Sequence, residues 1–503
     1  MSWRPRIESP YARLGLPAVL ALAALVRFAG LGARSLWTDE GSTWTAATLP
    51  WPALVRRCLE RDASPPLYYL LTSWTLRLAD REAGLRLVSA LASLALVWLT
   101  YRLARLALDR PTAAFAALLA ALSPFQVQYA QEARTYTLVA AFSVWSTWLF
   151  ARALGARERS WRPYVAATAL GLWTQSLVVL GLASQGVLAV ATAKGRRRLG
   201  RWLTATAVAL ALYAPWAWWS RGMAGHLSRS HWYVPDADAA GVLKVLRAVF
   251  VSSLPIVTAP PGSHLPGLDA LLPRAFAWAL LGLLPALPLL ATLPLLAGRG
   301  PRATLAKVAW AGWLVPVLAV LVVSVRSPLF LARYFVFLGP FVATLLTLGL
   351  AELPAVPRRV LGGLLLAFTL LGLARYELDY TKEPWRAVAA DLRARARPGR
   401  TAVLVPFDLD PLAFYLRDGR SGVRAFEVSH PAEPFASAYT PRELAELSAA
   451  ARADAAPYDE VWVVVRSPNS PVRREVVRRA EAAAAAGGRV RTEQRTWDSF
   501  GGP

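Results

Sequence analysis

The sequence predicts a mainly α-helical, polytopic membrane protein that ends in a small α/β domain. Of its 503 residues, 55% are hydrophobic and 11% are aromatic, which is more apolar sequence than a water-soluble domain of this size can bury. Its uncharged runs include Leu14 to Val26, Trp202 to Trp219 and Val308 to Val325. The longer runs approach the ~20 residues that cross a bilayer, and together they predict about eleven transmembrane helices.

Basic residues are concentrated in the first three quarters of the chain. The net charge is +24, yet from Tyr376 to the end 19 Lys and Arg nearly balance 18 Asp and Glu. The excess lies in short breaks between apolar runs, such as Arg196 to Arg198, and the positive-inside rule makes these breaks cytoplasmic loops. The pattern predicts a multi-pass protein of the cytoplasmic (inner) membrane with its amino terminus inside. It also argues against nucleic acid as a partner.

Residues 1–375 are predicted to form the transmembrane domain. Two of its outward loops are long, 33–82 and 220–272, and their tryptophans and tyrosines suit the headgroup level of a membrane. The second loop contains an amphipathic stretch from Gly241 to Ser252, which predicts a helix lying in the interface. The weakest apolar stretch, Pro163 to Ala193, is predicted to be two short helices.

Residues 376–503 are predicted to form an extracytoplasmic α/β domain. Two apolar, β-branched runs, Thr401 to Phe407 and Glu460 to Arg466, are typical of buried strands. Pro384 to Arg397 and Val472 to Ala485 have the spacing of amphipathic helices. No nucleotide-binding signature occurs in this region, so the sequence favours a docking or acceptor-holding module.

Two adjacent carboxylates, Asp39 and Glu40, follow the predicted first span. An enzyme that activates a hydroxyl at the membrane surface needs a base there, and Asp39 fits that role. Equally, the pair could form a solvated acidic turn that caps an interfacial helix starting at Ser42 or Thr43, since carboxylates stabilise a helix amino terminus.

A second charged pair, Glu132 and Arg134, lies where the third predicted span ends and the fourth begins. Charged groups at membrane depth are costly and usually line a cavity or pair with another group. One interpretation is a salt bridge that ties two helices together. The other is that Arg134 holds a phosphate and Glu132 orients a hydroxyl group.

Arg333 lies in the predicted outward link between the ninth and tenth spans. The guanidinium fork matches the oxygens of a phosphate diester and does not lose its proton, so Arg333 is a candidate phosphate ligand. The alternative is an ordinary interfacial arginine that reaches lipid headgroups.

No metal site is predicted from the histidines, which lack metal-ligand spacing. They are His226, His231, His264 and His430. A divalent cation held by Asp39 and Glu132 together with a phosphate is the remaining metal hypothesis. The phosphate-binding patterns GxGxxG and GxxxxGKS do not occur, so neither ATP nor a soluble nucleotide-sugar is supported as a direct substrate.

Several motifs occur in a distinctive order along the chain. They are Trp37 to Glu40, Ser64 to Tyr69 with Arg86, Gln131 to Tyr136, and Ala332 to Tyr334. Together, from Arg27 to Arg333, they resemble the bacterial membrane glycosyltransferases of the GT-C fold. The likeness is greatest to the protein O-mannosyltransferase-like branch, family 39, which includes the aminoarabinose and galacturonic acid transferases acting on lipopolysaccharide. Lys382 to Arg386 also resembles the stretch that opens the soluble domain of these proteins.

The resemblance implies a membrane glycosyltransferase that uses a polyprenyl-phosphate sugar donor, usually with inversion. The acceptor would be a hydroxyl of a protein, a lipid or an envelope glycan. The implied site residues are Asp39 and Glu40 as the catalytic carboxylates, Arg134 and Arg333 as donor-phosphate ligands, and Glu132, Tyr136, Tyr68 and Arg86 as substrate-orienting residues. The chain departs from many relatives at Thr174 to Ser176, where they have a His-aromatic pair.

Two other classes of function stay open at this stage. A transporter or flippase of lipid-linked sugars is one, since charge within the membrane also marks substrate pathways. However, no internal repeat is evident, and the acids crowd the outer loops. A non-catalytic scaffold that binds envelope glycolipid is the other, and Asp39 together with Arg134 argues against it.

Overall fold

The structure is a computed structural model that describes residues 15–62, 64–154, 160–222, 238–250, 256–259, 263–325, 330–419, 421–429, 439–466 and 471–486. Contacts among them separate two compact units. The membrane unit comprises the described residues within 15–31, 55–221 and 238–380. The sheet unit comprises residues 32–54 and the described chain from Thr381 onward. The sheet unit therefore includes part of the predicted first outer loop.

The described chain is mostly helical. In chain order its α-helices are Leu16–Phe28, Thr38–Thr48, Trp51–Arg57, Leu67–Leu78, Glu82–Ala104, Arg110–Leu122, Pro124–Ala130, Tyr136–Leu154, Arg162–Thr174, Val178–Ala191, Ala193–Arg196, Leu199–Trp219, Ala239–Phe250, Arg274–Ala291, Leu293–Ala297, Pro301–Ser324, Gly339–Glu352, Ala355–Asp379, Trp385–Arg395, Leu409–Leu416, Pro441–Ala455 and Pro471–Ala485. The core of the membrane unit is apolar and aromatic, with Phe125, Phe150, Phe335 and Phe341 among its fully buried side chains.

Six helices of the described chain are long and apolar enough to cross a membrane. They cover Glu82–Ala104, Tyr136–Leu154, Arg274–Ala297, Pro301–Ser324, Ala332–Glu352 and Ala355–Asp379. A seventh span results if the bent pair Arg110–Leu122 and Pro124–Ala130 counts as one. The other predicted spans fall on shorter or less apolar helices: Leu16–Phe28, Arg162–Thr174, Val178–Ala191 and Leu199–Trp219. The stretch from Pro163 to Ala193 is thus two helices, as expected.

A bend of 59° separates the helices Arg110–Leu122 and Pro124–Ala130. Pro124 has no N–H to donate to the carbonyl four residues earlier, that of Ala120. The guanidinium of Arg27 donates instead to the Ala120 and Ala121 carbonyls, at 3.3 and 2.8 Å, and to Ser93 Oγ at 2.8 Å. Because Arg27 is fully buried, these bonds compensate its charge and stabilise the bend.

The sheet unit is built on a three-stranded parallel sheet. The strand Thr401–Pro406 lies in the centre, with Arg424–Val428 on one side and Glu460–Val463 on the other. All side chains of the central strand are buried, and Val476 and Leu447 of two helices pack in the same apolar cluster. The predicted small α/β domain is confirmed, including both predicted strands.

Within the sheet unit the helix Thr38–Thr48, called here the loop helix, packs against the helix Leu409–Leu416. Trp44 and Phe414 meet edge to face, with ring centroids 5.5 Å apart. Gly41 makes this approach possible, because a Cβ at that position would lie 2.4 Å from the backbone nitrogen of Pro411. A glycine is therefore required where the loop helix contacts the helix Leu409–Leu416.

Candidate active site

Glu132 is a buried carboxylate of the membrane unit, with 2% of the residue exposed. Its Oε1 accepts hydrogen bonds from Gln128 Nε2 and from the Tyr380 hydroxyl, each at 3.3 Å. A buried charge is tolerated only when hydrogen bonds or charges compensate it. The helix Pro124–Ala130, placed by the bend at Pro124, supplies Gln128 one turn before Glu132.

Gln131, beside Glu132, links two further helices. Its Nε2 donates to the carbonyls of Val26 and Ala29 at 3.2 and 3.3 Å, and its Oε1 accepts from the Tyr376 hydroxyl at 3.0 Å. Gln128, Tyr376 and Tyr380 were not predicted as site residues, and Gln131 was predicted only as the first residue of a motif. Their signal was amides in an otherwise apolar stretch and a Tyr pair one turn apart.

Arg134 and Arg333 each lie beside a tyrosine ring, and the two tyrosines contact each other. The guanidinium carbon of Arg134 lies 5.9 Å from the ring centroid of Tyr136, and that of Arg333 lies 5.9 Å from the ring centroid of Tyr334. The two rings are 6.4 Å apart. These four residues form the arginine–tyrosine row, which presents two permanent cations on adjacent aromatic rings.

Tyr68 and Arg86 are fully buried and hold the backbone of this region. The Tyr68 hydroxyl lies 2.7 Å from Ser89 Oγ, which donates to the Arg134 carbonyl at 3.0 Å. Arg86 donates to the Leu31 carbonyl at 2.9 Å. The geometry gives both residues a supporting contact, and their predicted role in orienting substrate stays a prediction.

The break between helices Arg162–Thr174 and Val178–Ala191 contacts the loop that contains Glu132 and Arg134. Thr135 Oγ1 donates to Gln175 Oε1 at 2.9 Å. Gln175 lies in the stretch Thr174 to Ser176, where the chain departs from many relatives. This stretch therefore lies beside the loop that contains Glu132 and Arg134.

Asp39 and Glu40 occupy the first turn of the loop helix. The predicted place of the pair at a helix amino terminus is confirmed, since Glu40 accepts from the Trp37 backbone N–H at 3.4 Å. The helix starts at Thr38, not at Ser42 or Thr43, and Glu40 is fully buried, so the prediction of a solvated turn is wrong for Glu40. The Glu40 carboxylate pairs with Lys382 Nζ at 2.9 Å, and both side chains are at most 1% exposed. Asp39 is half-buried, so of the two carboxylates it has the greater access to solvent.

Two consecutive residues of the sheet unit bind the residues on either side of Asp39. Lys382 holds Glu40, while Glu383 Oε2 accepts from the Thr38 backbone N–H at 3.0 Å and from its hydroxyl at 2.9 Å. Lys382 and Glu383 are called the clamp. Because both neighbours of Asp39 are bonded, the clamp restricts the backbone that carries it.

The clamp is braced at the carboxyl ends of the parallel strands. Arg466 Nε pairs with Glu383 Oε1 at 2.9 Å, and Arg473 pairs with Asp408 at 2.9 Å. Ligands of open α/β sheets commonly bind at this edge. Here Thr38 of the loop helix reaches it, because its hydroxyl also accepts from Arg466 at 3.3 Å.

The pH dependence of stability should report on Glu383. Burial raises its pKa above the ordinary 4.5, although Arg466 opposes the shift. The folded state therefore binds this proton more tightly than the unfolded chain, and stability is lost as pH rises from 4.5 through the raised pKa. In Glu383→Gln that loss should disappear from thermal unfolding curves measured across this pH range. The exposed Glu446→Gln should keep it, and parallel profiles for Glu383→Gln and the native chain would contradict the assignment.

Among the described residues, no group of three or more His, Cys, Asp or Glu side chains is arranged to hold a metal ion. The described His264 instead contacts Asp379 at 3.1 Å. His226, His231 and His430 lie outside the described residues.

Comparison with known proteins gives one family and several structures. Residues 63–219 match the family model of dolichyl-phosphate-mannose-protein mannosyltransferase. Among curated proteins no significant match is found.

The solved structures share low sequence identity with the chain. ArnT from Cupriavidus metallidurans in the apo state is 19% identical, with 87% of this chain and 90% of that chain covered and a TM-score of 0.47. The same protein bound to undecaprenyl phosphate gives 18% identity, 89% coverage of each chain and a TM-score of 0.45. The Archaeoglobus fulgidus oligosaccharyltransferase in complex with Zn and sulfate is 13% identical, with 83% of this chain and 62% of that chain covered and a TM-score of 0.50. At this level the likeness concerns the fold, and the chain is a multi-pass membrane protein of the GT-C fold whose residues 63–219 match the dolichyl-phosphate-mannose-protein mannosyltransferase family.

Proposed function

We propose that the protein transfers a sugar from a polyprenyl-phosphate-linked donor to a hydroxyl acceptor on the outer face of the cytoplasmic membrane, with inversion at the anomeric carbon. The observation that carries this proposal is the arginine–tyrosine row, in which Arg134 and Arg333 lie on neighbouring rings. The match of residues 63–219 to a family named for a lipid-phosphate-mannose donor supports the same reaction.

The row suits a lipid phosphate for electrostatic reasons. A donor of this class releases a polyprenyl phosphate, so negative charge grows on the phosphate oxygens as the bond to the sugar breaks. Guanidinium groups fixed beside those oxygens stabilise the charge, and they bind phosphate bidentately without losing their protons. Arg134 and Arg333 therefore serve both donor binding and departure of the leaving group.

The reaction also needs a base for the acceptor hydroxyl. Asp39 accepts that proton as the hydroxyl oxygen attacks the anomeric carbon. Glu40 is less suited to this task, since its carboxylate is fully buried and paired with Lys382. We therefore assign Asp39 as the base and Glu40 as its buried structural neighbour.

Replacing Arg333 by Ala should weaken binding of undecaprenyl phosphate by about 10- to 100-fold, as expected for lost hydrogen bonds to a charged group. Arg333→Lys should restore only part of the affinity, because an ammonium cannot form the bidentate fork. Titration of the purified protein with undecaprenyl phosphate measures both effects.

Arg302→Ala is the matched control, because Arg302 is a half-exposed arginine paired with Glu352 away from the row. It should bind the lipid phosphate as the native chain does. Equal affinities for the native chain, Arg333→Ala and Arg333→Lys would remove Arg333 from the donor site.

The function itself is tested by mass spectrometry of envelope glycans in a deletion strain, complemented by the native gene or by Asp39→Asn. A sugar modification that disappears on deletion and returns only with the native gene supports transfer. Return of the modification with both genes would contradict a catalytic Asp39 and favour a flippase or a binding scaffold. Participation of a divalent cation stays a prediction, and adding EDTA to a transfer assay tests it.

A further inference from the structure

A long groove runs along the surface of the membrane unit between the helices Arg162–Thr174 and Leu199–Trp219. Its volume is about 950 Å³. Its walls are mostly apolar and include Val165, Val208 and Leu212. Val208 and Leu212 are 46% and 54% exposed, so an apolar surface is left open along the groove.

The groove is cationic at one end only. Arg162 and Arg201 both line it, and each lies in the first turn of its helix, where the helix dipole adds positive potential. Ser160 and Thr204 contribute hydroxyl groups nearby, and none of the described residues that line the groove is acidic. Apolar walls that end at two arginines fit an amphiphile with an anionic head.

This cationic end is remote from the candidate donor-phosphate residues. Gln175, which bonds to Thr135 beside Arg134, follows the carboxyl end of the helix Arg162–Thr174. Arg162 begins that helix, and its 13 residues rise about 20 Å. The cationic end of the groove therefore lies at the opposite end of this helix from Gln175.

We propose that this groove is a binding site for an anionic phospholipid, with the phosphate on Arg162 and Arg201 and an acyl chain lying along Val165, Val208 and Leu212. The distance from Arg201 to Leu212 along the helix is about 17 Å, which matches one leaflet, about half of a ~30 Å hydrocarbon core. Basic pockets between transmembrane helices on the cytoplasmic side are typical sites for acidic headgroups. The inference stands independently of the sugar-transfer proposal.

The test uses the purified full-length protein and native mass spectrometry of bound lipid. Phosphatidylglycerol should be retained in preference to phosphatidylcholine. The double variant Arg162→Gln/Arg201→Gln should lose about 10- to 30-fold in affinity for phosphatidylglycerol, given the contribution of each arginine near an anionic headgroup. The matched control is Arg196→Gln/Arg197→Gln, which removes the same charge from the adjoining loop at exposed positions outside the groove.

A second variant separates the acyl-chain contact from charge. Thr204 is exposed and lines the groove, so Thr204→Trp should occupy the groove while both arginines remain. It should reduce retention of phosphatidylglycerol with an unchanged unfolding temperature. The proposal is overturned if phosphatidylcholine binds equally well, if both double variants lose the same affinity, or if Thr204→Trp retains the lipid as the native chain does.

Discussion

Asp39→Asn is expected to reduce sugar transfer by at least about 10²- to 10⁴-fold, the usual contribution of a general base. Asn has nearly the same shape and can still hydrogen-bond, yet it cannot accept the acceptor's proton. The loop helix should remain in place, because the clamp bonds to Thr38 and Glu40 and not to position 39. Initial rates with a polyprenyl-phosphate sugar donor measure the loss, and titration with undecaprenyl phosphate should show unchanged donor binding.

Glu446→Gln is the control for removing a carboxylate from the sheet unit, since Glu446 is exposed and forms a surface pair with Arg442. It should leave the rate unchanged. If Asp39→Asn transferred sugar at the native rate, Asp39 would not be the base and the assignment would fail. A loss of donor binding equal to the loss of rate would indicate misfolding, which the unfolding temperature would also reveal.

Lys382→Met should destabilise the protein by about 3–5 kcal/mol, because it removes the positive charge that pairs with the buried Glu40 carboxylate. The pair is enclosed, with side chains 1% and 0% exposed and 2.9 Å between nitrogen and oxygen. Denaturation of the purified protein measures the change. The double variant Lys382→Met/Glu40→Gln should recover much of the stability, since the uncompensated charge is gone.

Arg442→Met is the matched control for Lys382→Met, because it breaks a solvent-exposed pair worth at most about 1 kcal/mol. Equal destabilisation by Lys382→Met and Arg442→Met would show that the Lys382–Glu40 pair is not the buried contact described here. The same conclusion would follow if the double variant Lys382→Met/Glu40→Gln were no more stable than Lys382→Met.

The two contacts of the clamp explain why the chain after the last predicted span matters to residues of the predicted first outer loop. Lys382 and Glu383 are adjacent in sequence and bind the two residues that flank Asp39. A sequence can show that Lys382 to Arg386 resembles a family motif. It cannot show which residues this motif contacts, because the partners are 345 and 342 positions away.

The hydrogen-bond partners of Glu132 could likewise not be predicted from the sequence. Glu132 and Arg134 stood out because charge is rare in apolar sequence. Gln128 and Tyr380, which hydrogen-bond Glu132, are ordinary residue types whose role depends on helix packing. The sequence also predicted Arg134 and Arg333 as donor-phosphate ligands, whereas the contact between Tyr136 and Tyr334 became evident only in the structure.

The sequence by itself determined the membrane class, the two short helices near Thr174 and two of the three strands of the small sheet, but not the strand Arg424–Val428. These features follow from hydropathy and periodicity, which act within a few residues of the chain. Only the tertiary structure decided that the loop helix joins the sheet unit, that Glu40 is buried against Lys382 and that Arg27 supports the bend at Pro124. Such contacts depend on which distant groups can satisfy each other's charges and hydrogen bonds away from water, and local sequence does not specify them.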